Sequence, residues 1–330
     1  MPPVFHIGLL PGRPVTEMAE IVTYAEDLGF EGVWIADSQS IFRDAYAVLA
    51  IAAARTSRIA LATGVTNPVT RHPAVIASAT ATLDELSGGR AILGIGVGES
   101  AVVTLGLPPA RLDRLEEVIR AIRALLSGAE AELDGQRFRL TWPVAPVPIW
   151  LASSGPRSLR LAGRIGDGVL FQVGALPALV RWALDEIDAG AAGRERGQRP
   201  MQRFIRLACS IAPDREWARD QVRGYVAGAA GTAVKHVPPD RIPPSLHADI
   251  ADMRSRYDYY AHMSTEAPHS ELVTDPILDA ISISGTPEEA VPRFRELIEL
   301  GIDGFCLPVT TADPRTTMRV LAEDVLPHLR

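Results

Sequence analysis

The chain has 330 residues, of which 47% are hydrophobic, and its formal net charge is -7. This length can bury a large core, as two domains or as one barrel, and the acidic balance without basic runs argues against nucleic acid as a partner. The longest apolar stretches fall short of the roughly 20 residues that span a bilayer, so we expect no membrane partner and a cytoplasmic protein.

The counts of three residue types narrow the chemistry. Lys235 is the only lysine, which leaves Schiff-base chemistry and lysine-based phosphate loops almost without a candidate. The histidines show neither HxH nor HExxH spacing, so we predict no metal site. Cys209 and Cys306 lack CxxC spacing and are expected to be buried thiols.

Short apolar or β-branched runs alternate with amphipathic helical patterns along the chain, which is typical of parallel α/β proteins. The strands are expected near residues 4–10, 32–36, 59–65, 91–97, 147–152, 168–172, 204–211 and 304–308. Eight strands predict a single (β/α)8 TIM barrel over residues 1–330.

Four helices between these strands are well marked. Apolar residues repeat at helical spacing over residues 18–28 before Gly29, and over 112–126 before Gly128. A third helix is expected to begin at Pro73 and to end at residues 88–89, a glycine pair. The sequence TPEE at residues 286–289 predicts a capping box that opens the last long helix.

Two insertions interrupt this alternation and are expected at the C-terminal face of the barrel. Residues 132–140 predict a small hairpin, because Asp134-Gly135 is a favoured turn pair. Residues 213–276 carry paired prolines and several tyrosines. Connections this long in a compact domain are usually lids or substrate-shaping elements.

Polar residues directly after strands are the first candidates for a site, because the active site of a (β/α)8 barrel lies at the C-terminal ends of its strands. Glu99 follows the fourth strand within residues 94–100 (GIGVGES), where glycines such as Gly98 let a ligand approach the backbone. Its carboxylate is a candidate proton donor or acceptor; the alternative is a solvated loop residue. The full GxGxxG fingerprint followed by a helix is missing.

Three further positions have two interpretations each. Asp37 follows the second strand and either orients a cofactor or caps the next helix. Residues 153–157 (SSGPR) open a helix whose free N-H groups, with Arg157, can bind an anion; an ordinary helix start with a solvated arginine is the competitor. His72 is either structural or part of a site wall. The remaining histidines of the long insertion are expected to be solvated and without a role: His236, His247, His262 and His269.

The order of several segments resembles the luciferase-like flavin and deazaflavin oxidoreductase superfamily. The segments are residues 34–37 (WIAD), 63–68 (TGVTNP), 71–73 (RHP) and 83–90 (LDELSGGR), which runs into 94–99 (GIGVGE). The resemblance continues through residues 154–157 and returns at 285–289. Within the superfamily, the chain is most similar to the branch of F-420-dependent methylenetetrahydromethanopterin reductase.

This resemblance implies a deazaflavin or FMN at the C-terminal mouth, with its ring near the end of the third strand. It implies that Glu99 lies near the reacting ring and that the loop at Ser154-Gly155 is a phosphate-binding segment. This loop lies within the candidate anion site that runs from Ser153 to Arg157. Relatives carry a non-proline cis peptide that matches Gly64-Val65 here, so these residues should contact the ring together with Thr66, Asn67 and Gly98. Many deazaflavin relatives have histidine directly after the Asp37 position, where this chain has Ser38.

The leading hypothesis is therefore hydride transfer between coenzyme F-420 and a small organic substrate, with Glu99 managing a proton. One alternative is an FMN-dependent monooxygenase that uses oxygen and a separate flavin reductase. A glycoside hydrolase would pair Glu99 with a second carboxylate such as Asp214, and a non-catalytic flavin-binding protein is the last alternative. The resemblance also implies a homodimer, while the substrate and its stereochemistry stay open.

Overall fold

A parallel barrel forms the centre of the computed structural model, which describes residues 2–194, 199–238, 241–264 and 266–330. Numbered in chain order, the described strands are β1 (Val4–Leu9), β2 (Gly32–Ile35), β3 (Ala60–Thr63), β4 (Ala91–Ile95), β5 (Ala131–Leu133), β6 (Gln136–Phe138), β7 (Ile149–Ser153), β8 (Gly168–Phe171), β9 (Gln202–Arg206), β10 (Ala208–Ile211), β11 (Ser282–Gly285) and β12 (Gly304–Pro308). The barrel closes in the order β1-β12-β9-β8-β7-β4-β3-β2. The predicted (β/α)8 fold is confirmed.

Helices follow most of the barrel strands and cover the outside of the barrel. They are α1 (Val15–Asp27), α2 (Ala45–Arg55), α3 (Pro73–Ser87), α4 (Ser100–Val103), α5 (Leu112–Leu126), α6 (Pro156–Ile165), α7 (Pro177–Ala191), α8 (Arg215–Val234), α9 (Pro244–Ser255), α10 (Asp275–Ile281), α11 (Pro287–Glu299) and α12 (Pro314–Val320). Short 3₁₀ turns lie at Pro268–Leu272 and Leu326–His328, and a π turn lies at Leu321–Val325.

The helix boundaries follow the capping signals of the sequence. Gly88 adopts a left-handed conformation (φ 70°) directly after α3, which ends the helix there. At the start of α11, the Thr286 N-H donates to the Glu289 carboxylate at 3.1 Å, and the Glu289 N-H donates to the Thr286 hydroxyl at 3.4 Å. The predicted capping box is therefore confirmed.

Aromatic rings fill the barrel interior beneath the mouth. The Trp34 indole N-H donates to His6 Nδ1 at 2.9 Å, and the His6 ring lies 4.8 Å from Phe204 and 6.4 Å from Trp150 between centroids. A Cβ on Gly32 would lie 2.6 Å from the His6 ring. Glycine at that position of β2 therefore makes room for the ring inside the barrel.

One predicted strand, residues 204–211, is wrong in its bounds. The chain leaves the barrel after Arg206, and β10 pairs in parallel with β11, which the sequence did not predict. β11 consists of Ser282, Ile283, Ser284 and Gly285, a run too short to give a clear alternation signal. The second sheet extends the wall of the barrel beyond the end of β9.

The two predicted insertions differ in character. β5 and β6 form an antiparallel hairpin around Asp134 and Gly135, both with positive φ. Asp134 pairs with Arg114 of α5 at 2.6 Å, which fastens the turn to the barrel. The range 213–276 is largely helical, with α8 and α9 within it and α10 beginning at its end, and residues 239–240 and 265 lie outside the described part.

Candidate functional site

A cavity of about 540 Å³ opens where the barrel strands end. Of the residues predicted for the site, these line it: Asp37, Gly64, Val65, Asn67, Gly98, Glu99, Ser153, Ser154, Gly155 and Arg157. Thr66 and His72 are the exceptions, because Thr66 is fully buried beneath the wall and His72 caps α3 by accepting from the Ala74 N-H at 3.2 Å. The structure thus brings together residues that follow β2, β3, β4 and β7.

The wall after β3 contains the predicted cis peptide, Gly64-Val65. Val65 lies against the glycines of the neighbouring strand: a Cβ on Gly94 would be 3.0 Å from its Cγ1, and one on Gly96 would be 3.3 Å from its Cγ2. Glycine at those two positions leaves room for the Val65 side chain. The Arg206 guanidinium on the opposite side of the barrel donates to the Gly64 carbonyl oxygen at 3.3 Å.

Asn67 combines a structural contact with an unsatisfied donor. Its Oδ1 accepts hydrogen bonds from the N-H groups of Val69 and Thr70, at 3.0 and 2.9 Å. Its Nδ2 is buried and has no hydrogen-bond partner among the described residues. Because a buried amide donor without an acceptor is costly, this atom fits a site that is completed by a ligand.

Asp37 lines the cavity, but its carboxylate is held in an ion pair with Arg71. The Arg71 guanidinium also pairs with Asp44 at 2.8 Å and lies 5.3 Å from the centre of the Tyr46 ring. The alternative interpretation of Asp37 as a helix cap is wrong, since Asp44 caps α2 by accepting from the Ala47 N-H at 3.0 Å.

Ser38 fastens the loop after β2 to the start of α4. Its hydroxyl lies 2.8 Å from the Ser100 hydroxyl, and the neighbouring Gln39 amide donates to the Ala101 carbonyl at 2.6 Å. Many deazaflavin relatives have a histidine at this position. In this chain Ser38 instead joins the loop after β2 to the start of α4.

The Glu99 carboxylate faces α8. The Thr232 hydroxyl lies 3.0 and 3.2 Å from its two oxygens, and an Arg254 nitrogen lies 3.8 Å from Oε1. The Glu99 side chain is 41% exposed, so a ligand or water can reach it. It is anchored on one side and open to the cavity on the other.

The start of α6 presents hydrogen-bond donors to the cavity. The Ser153 hydroxyl donates to the Ser158 carbonyl at 3.1 Å, and the Gly155 N-H donates to the Ser158 hydroxyl at 3.2 Å. The N-H groups of Arg157 and Ser158, in the first turn, have no acceptor within the helix. Arg157 is exposed and forms no ion pair within the described ranges. The segment is suited to an anion.

The expectation that the insertion histidines are solvated is wrong for two of them. His269 is buried, at 2% exposure. His262 is half-buried and lines the cavity. His236 and His247 are exposed, as expected. His236 lines the cavity beside Gly155, whereas His247, on α9, does not.

Sequence reasoning also missed Arg206, Thr232 and Tyr257. A charged residue inside a predicted barrel strand was the available signal for Arg206, because such a side chain must point either into the barrel or among the helices. Burial raises the pKa of the Tyr257 hydroxyl above its ordinary value. Nothing in the local sequence connects Thr232 to Glu99, which lies 133 residues away.

The glycoside hydrolase alternative finds little support in this geometry. Asp214, the second carboxylate of the glycoside hydrolase hypothesis, caps α8 by accepting from the Trp217 N-H at 3.1 Å and does not line the cavity.

Among the described residues, no group of three or more histidine, cysteine or acidic side chains is arranged to hold a metal ion. None of the described helices is long and apolar enough to cross a membrane.

Comparisons with known proteins agree with this architecture. Residues 2–304 match the family model of the luciferase-like monooxygenases. The chain is 34% identical to 5,10-methylenetetrahydromethanopterin reductase of Methanolobus tindarius, over 90% of this chain and 91% of the relative. It is 30% identical to an F-420-dependent glucose-6-phosphate dehydrogenase of Nakamurella multipartita, over 96% and 93%. The solved coenzyme F-420-dependent tetrahydromethanopterin reductase of Methanopyrus kandleri superposes with a TM-score of 0.82 at 29% identity and covers both chains fully.

Proposed function

The chain belongs to the luciferase-like monooxygenase family, and on this premise we propose that it is an oxidoreductase that uses coenzyme F-420 to transfer a hydride to or from a small organic substrate. The observation that carries the proposal is the similarity, along nearly the whole chain, to relatives that share F-420 but differ in substrate. When bound, the deazaflavin supplies or accepts the hydride.

The residues of the cavity fit such a cofactor. Val65, Gly98 and Asn67 would hold its ring, and the unsatisfied Asn67 Nδ2 offers a donor to a ring heteroatom. The first turn of α6 with Arg157 would hold its phosphate. The cavity thus combines a mainly apolar wall with a donor-rich end, as a ring with a charged tail requires.

Glu99 would hold the proton that accompanies hydride transfer. A carboxylate is suited to this role when one side is fixed and the other faces the ligand. The Thr232 hydroxyl fixes the carboxylate at 3.0 Å, and an Arg254 guanidinium nitrogen lies 3.8 Å from its Oε1. Glu99 would then accept a proton during substrate oxidation and return it during reduction.

The test is reaction of the reduced carrier with and without oxygen. We expect F-420 reduced beforehand to persist with the protein under air and to be reoxidised only when an organic acceptor is added, which restores its absorbance. Transfer of an oxygen atom from O2 to an organic substrate, with reduced FMN supplied by a flavin reductase, would instead establish the monooxygenase alternative, which corresponds to the name of the family. Lack of turnover with either carrier would leave only a flavin-binding role.

We also propose that the chain works as a homodimer of single-domain barrels. Val75 and Leu86 lie three turns apart on α3 and are 54% and 49% exposed, which leaves apolar side chains on one outer face. Light scattering after gel filtration would measure a dimer mass. The two free cysteines are typical of a reducing compartment, so the cytoplasm is the proposed location.

A further inference from the structure

The end of α9 and the segment that follows it pack against α8 at two glycines. A Cβ on Gly228 would lie 2.8 Å from the Tyr257 hydroxyl and 3.1 Å from Met263 Cγ, and one on Gly231 would lie 2.2 Å from Arg254 Cδ. Larger residues would push this segment away from the cavity. α8 is therefore shaped to bring Tyr257, Arg254 and their neighbours against the barrel mouth.

Within this segment the His262 ring is held on two sides. Its face lies against Tyr259, with centroids 6.0 Å apart and an angle of 18° between planes. Its edge meets Tyr257, whose hydroxyl lies 2.5 Å from Nδ1. The orientation of the imidazole is thus fixed before any ligand arrives, which lowers the entropic cost of binding one.

The hydrogen bonds determine which ring nitrogen carries the proton. The Tyr257 oxygen already accepts from the Met263 N-H at 3.2 Å, and among the described residues the hydroxyl proton has no acceptor other than His262 Nδ1. Nδ1 therefore accepts, and Nε2 carries the hydrogen. Nε2 has no partner in the described part of the chain, and His262 lines the cavity.

The surroundings keep this imidazole neutral. Burial lowers the pKa of His262 to about 4, and the positive charges of Arg206 and Arg254 add to the effect, as does His269. At neutral pH the ring is therefore an oriented, uncharged N-H donor at the wall of the cavity.

We propose that His262 orients the substrate by donating its Nε2-H to the oxygen or nitrogen of a reducible C=O or C=N group, and that Tyr257 is the positioning residue behind it. This assignment rests on the proposed function. During reduction, the hydride brings two electrons to the carbon, the π pair moves onto the heteroatom, and a proton from Glu99 neutralises it. A donor aimed at that atom stabilises the developing charge, while His262 keeps its own proton.

Nuclear magnetic resonance of protein labelled with NMR-active nitrogen in its histidines tests the assignment without turnover. The His262 signals are identified by their loss in His262→Phe. In the protein with oxidised F-420, we expect a neutral Nε2-H tautomer whose proton shifts downfield on addition of cyclohexanone, acetophenone, benzaldehyde or a cyclic imine. Methylenecyclohexane, which has the shape of cyclohexanone without its oxygen, should cause no such shift. A charged ring, the Nδ1-H tautomer, or the absence of a shift with every acceptor would overturn the proposal.

Kinetics separate a substrate-orienting role from a structural one. For the best acceptor of that panel, His262→Phe should lower kcat/KM about tenfold, the loss of one neutral hydrogen bond, and His262→Gln should restore part of it. The Kd of His262→Phe for F-420 should stay within about twofold of that of the unaltered protein. The control His247→Phe should keep its kcat/KM and its Kd for F-420 within the same limit. If F-420 does not bind to the unaltered protein, the proposed function itself fails. If it binds and His262→Phe turns over normally, only the assignment of His262 fails.

Discussion

Acidification should unfold the barrel in part through His6, the buried histidine of the aromatic layer beneath the cavity. His6 is 5% exposed and surrounded by Trp34, Trp150 and Phe204. Burial lowers its pKa from 6.5 to about 3. Below pH 6.5 the unfolded chain therefore binds a proton at His6 that the folded chain does not bind. The free energy of unfolding falls as pH decreases from about 6.5 to about 3.

The size of this effect follows from the shift. Each pH unit within the window costs about 1.4 kcal/mol. At pH 5 the unfolding free energy should therefore be about 2 kcal/mol lower on account of His6 alone. Above pH 6.5 the residue contributes no pH dependence.

Urea unfolding followed by tryptophan fluorescence at about pH 7 and about pH 5 measures the effect. His6→Asn is the matched variant, because its amide oxygen can still accept from the Trp34 indole while the side chain no longer titrates. Other histidines whose pKa is lowered, such as His262, contribute in the same direction in both proteins, so the effect of His6 is the difference between the two pH dependences. Equal pH dependence in the two proteins would refute the burial argument.

Three substitutions test the cavity wall. Glu99→Gln should bind F-420 nearly normally and lower kcat by roughly 100-fold or more, since it keeps the shape but removes the proton; an unchanged rate across pH would remove Glu99 from the mechanism. Arg157→Ala should weaken F-420 binding by roughly tenfold or more if its guanidinium contacts the phosphate, as fluorescence titration would show; an unchanged Kd would leave the backbone N-H groups as the only donors there. Asp37→Asn should lower the unfolding free energy by about 2 kcal/mol, less than for a fully buried pair because Asp44 still neutralises Arg71; a stability equal to that of the unaltered protein in urea titration would contradict the role of the ion pair.

The part of the site that could be predicted from sequence is the part built from local signals. Glu99 and Gly98 follow a strand, and the Ser153–Arg157 segment follows another strand and contains a proline at the start of a helix. These signals place all of them at the mouth of any barrel with this strand order. The resemblance to a family added the cis peptide at Gly64-Val65. These signals need only the order of elements and the direction of the strands.

The remainder depends on contacts between distant segments. Thr232 reaches Glu99 because α8 runs across the mouth, and His262 reaches the cavity because Gly228 lets the following segment approach α8. The long insertion appeared to be mainly loop, since the glycines in α8, which have low helix propensity, weaken its helical pattern. The end of the predicted strand at residues 204–211 was misplaced because strand pairing, which is decided in three dimensions, divides it after Arg206.

Fluorescence titration of the purified protein with coenzyme F-420 and, separately, with FMN tests the central claim most directly. The account predicts saturable binding of one F-420 per chain, with an affinity at least about tenfold higher than for FMN and weakened by Arg157→Ala. Tight binding of FMN without measurable binding of F-420 would contradict it.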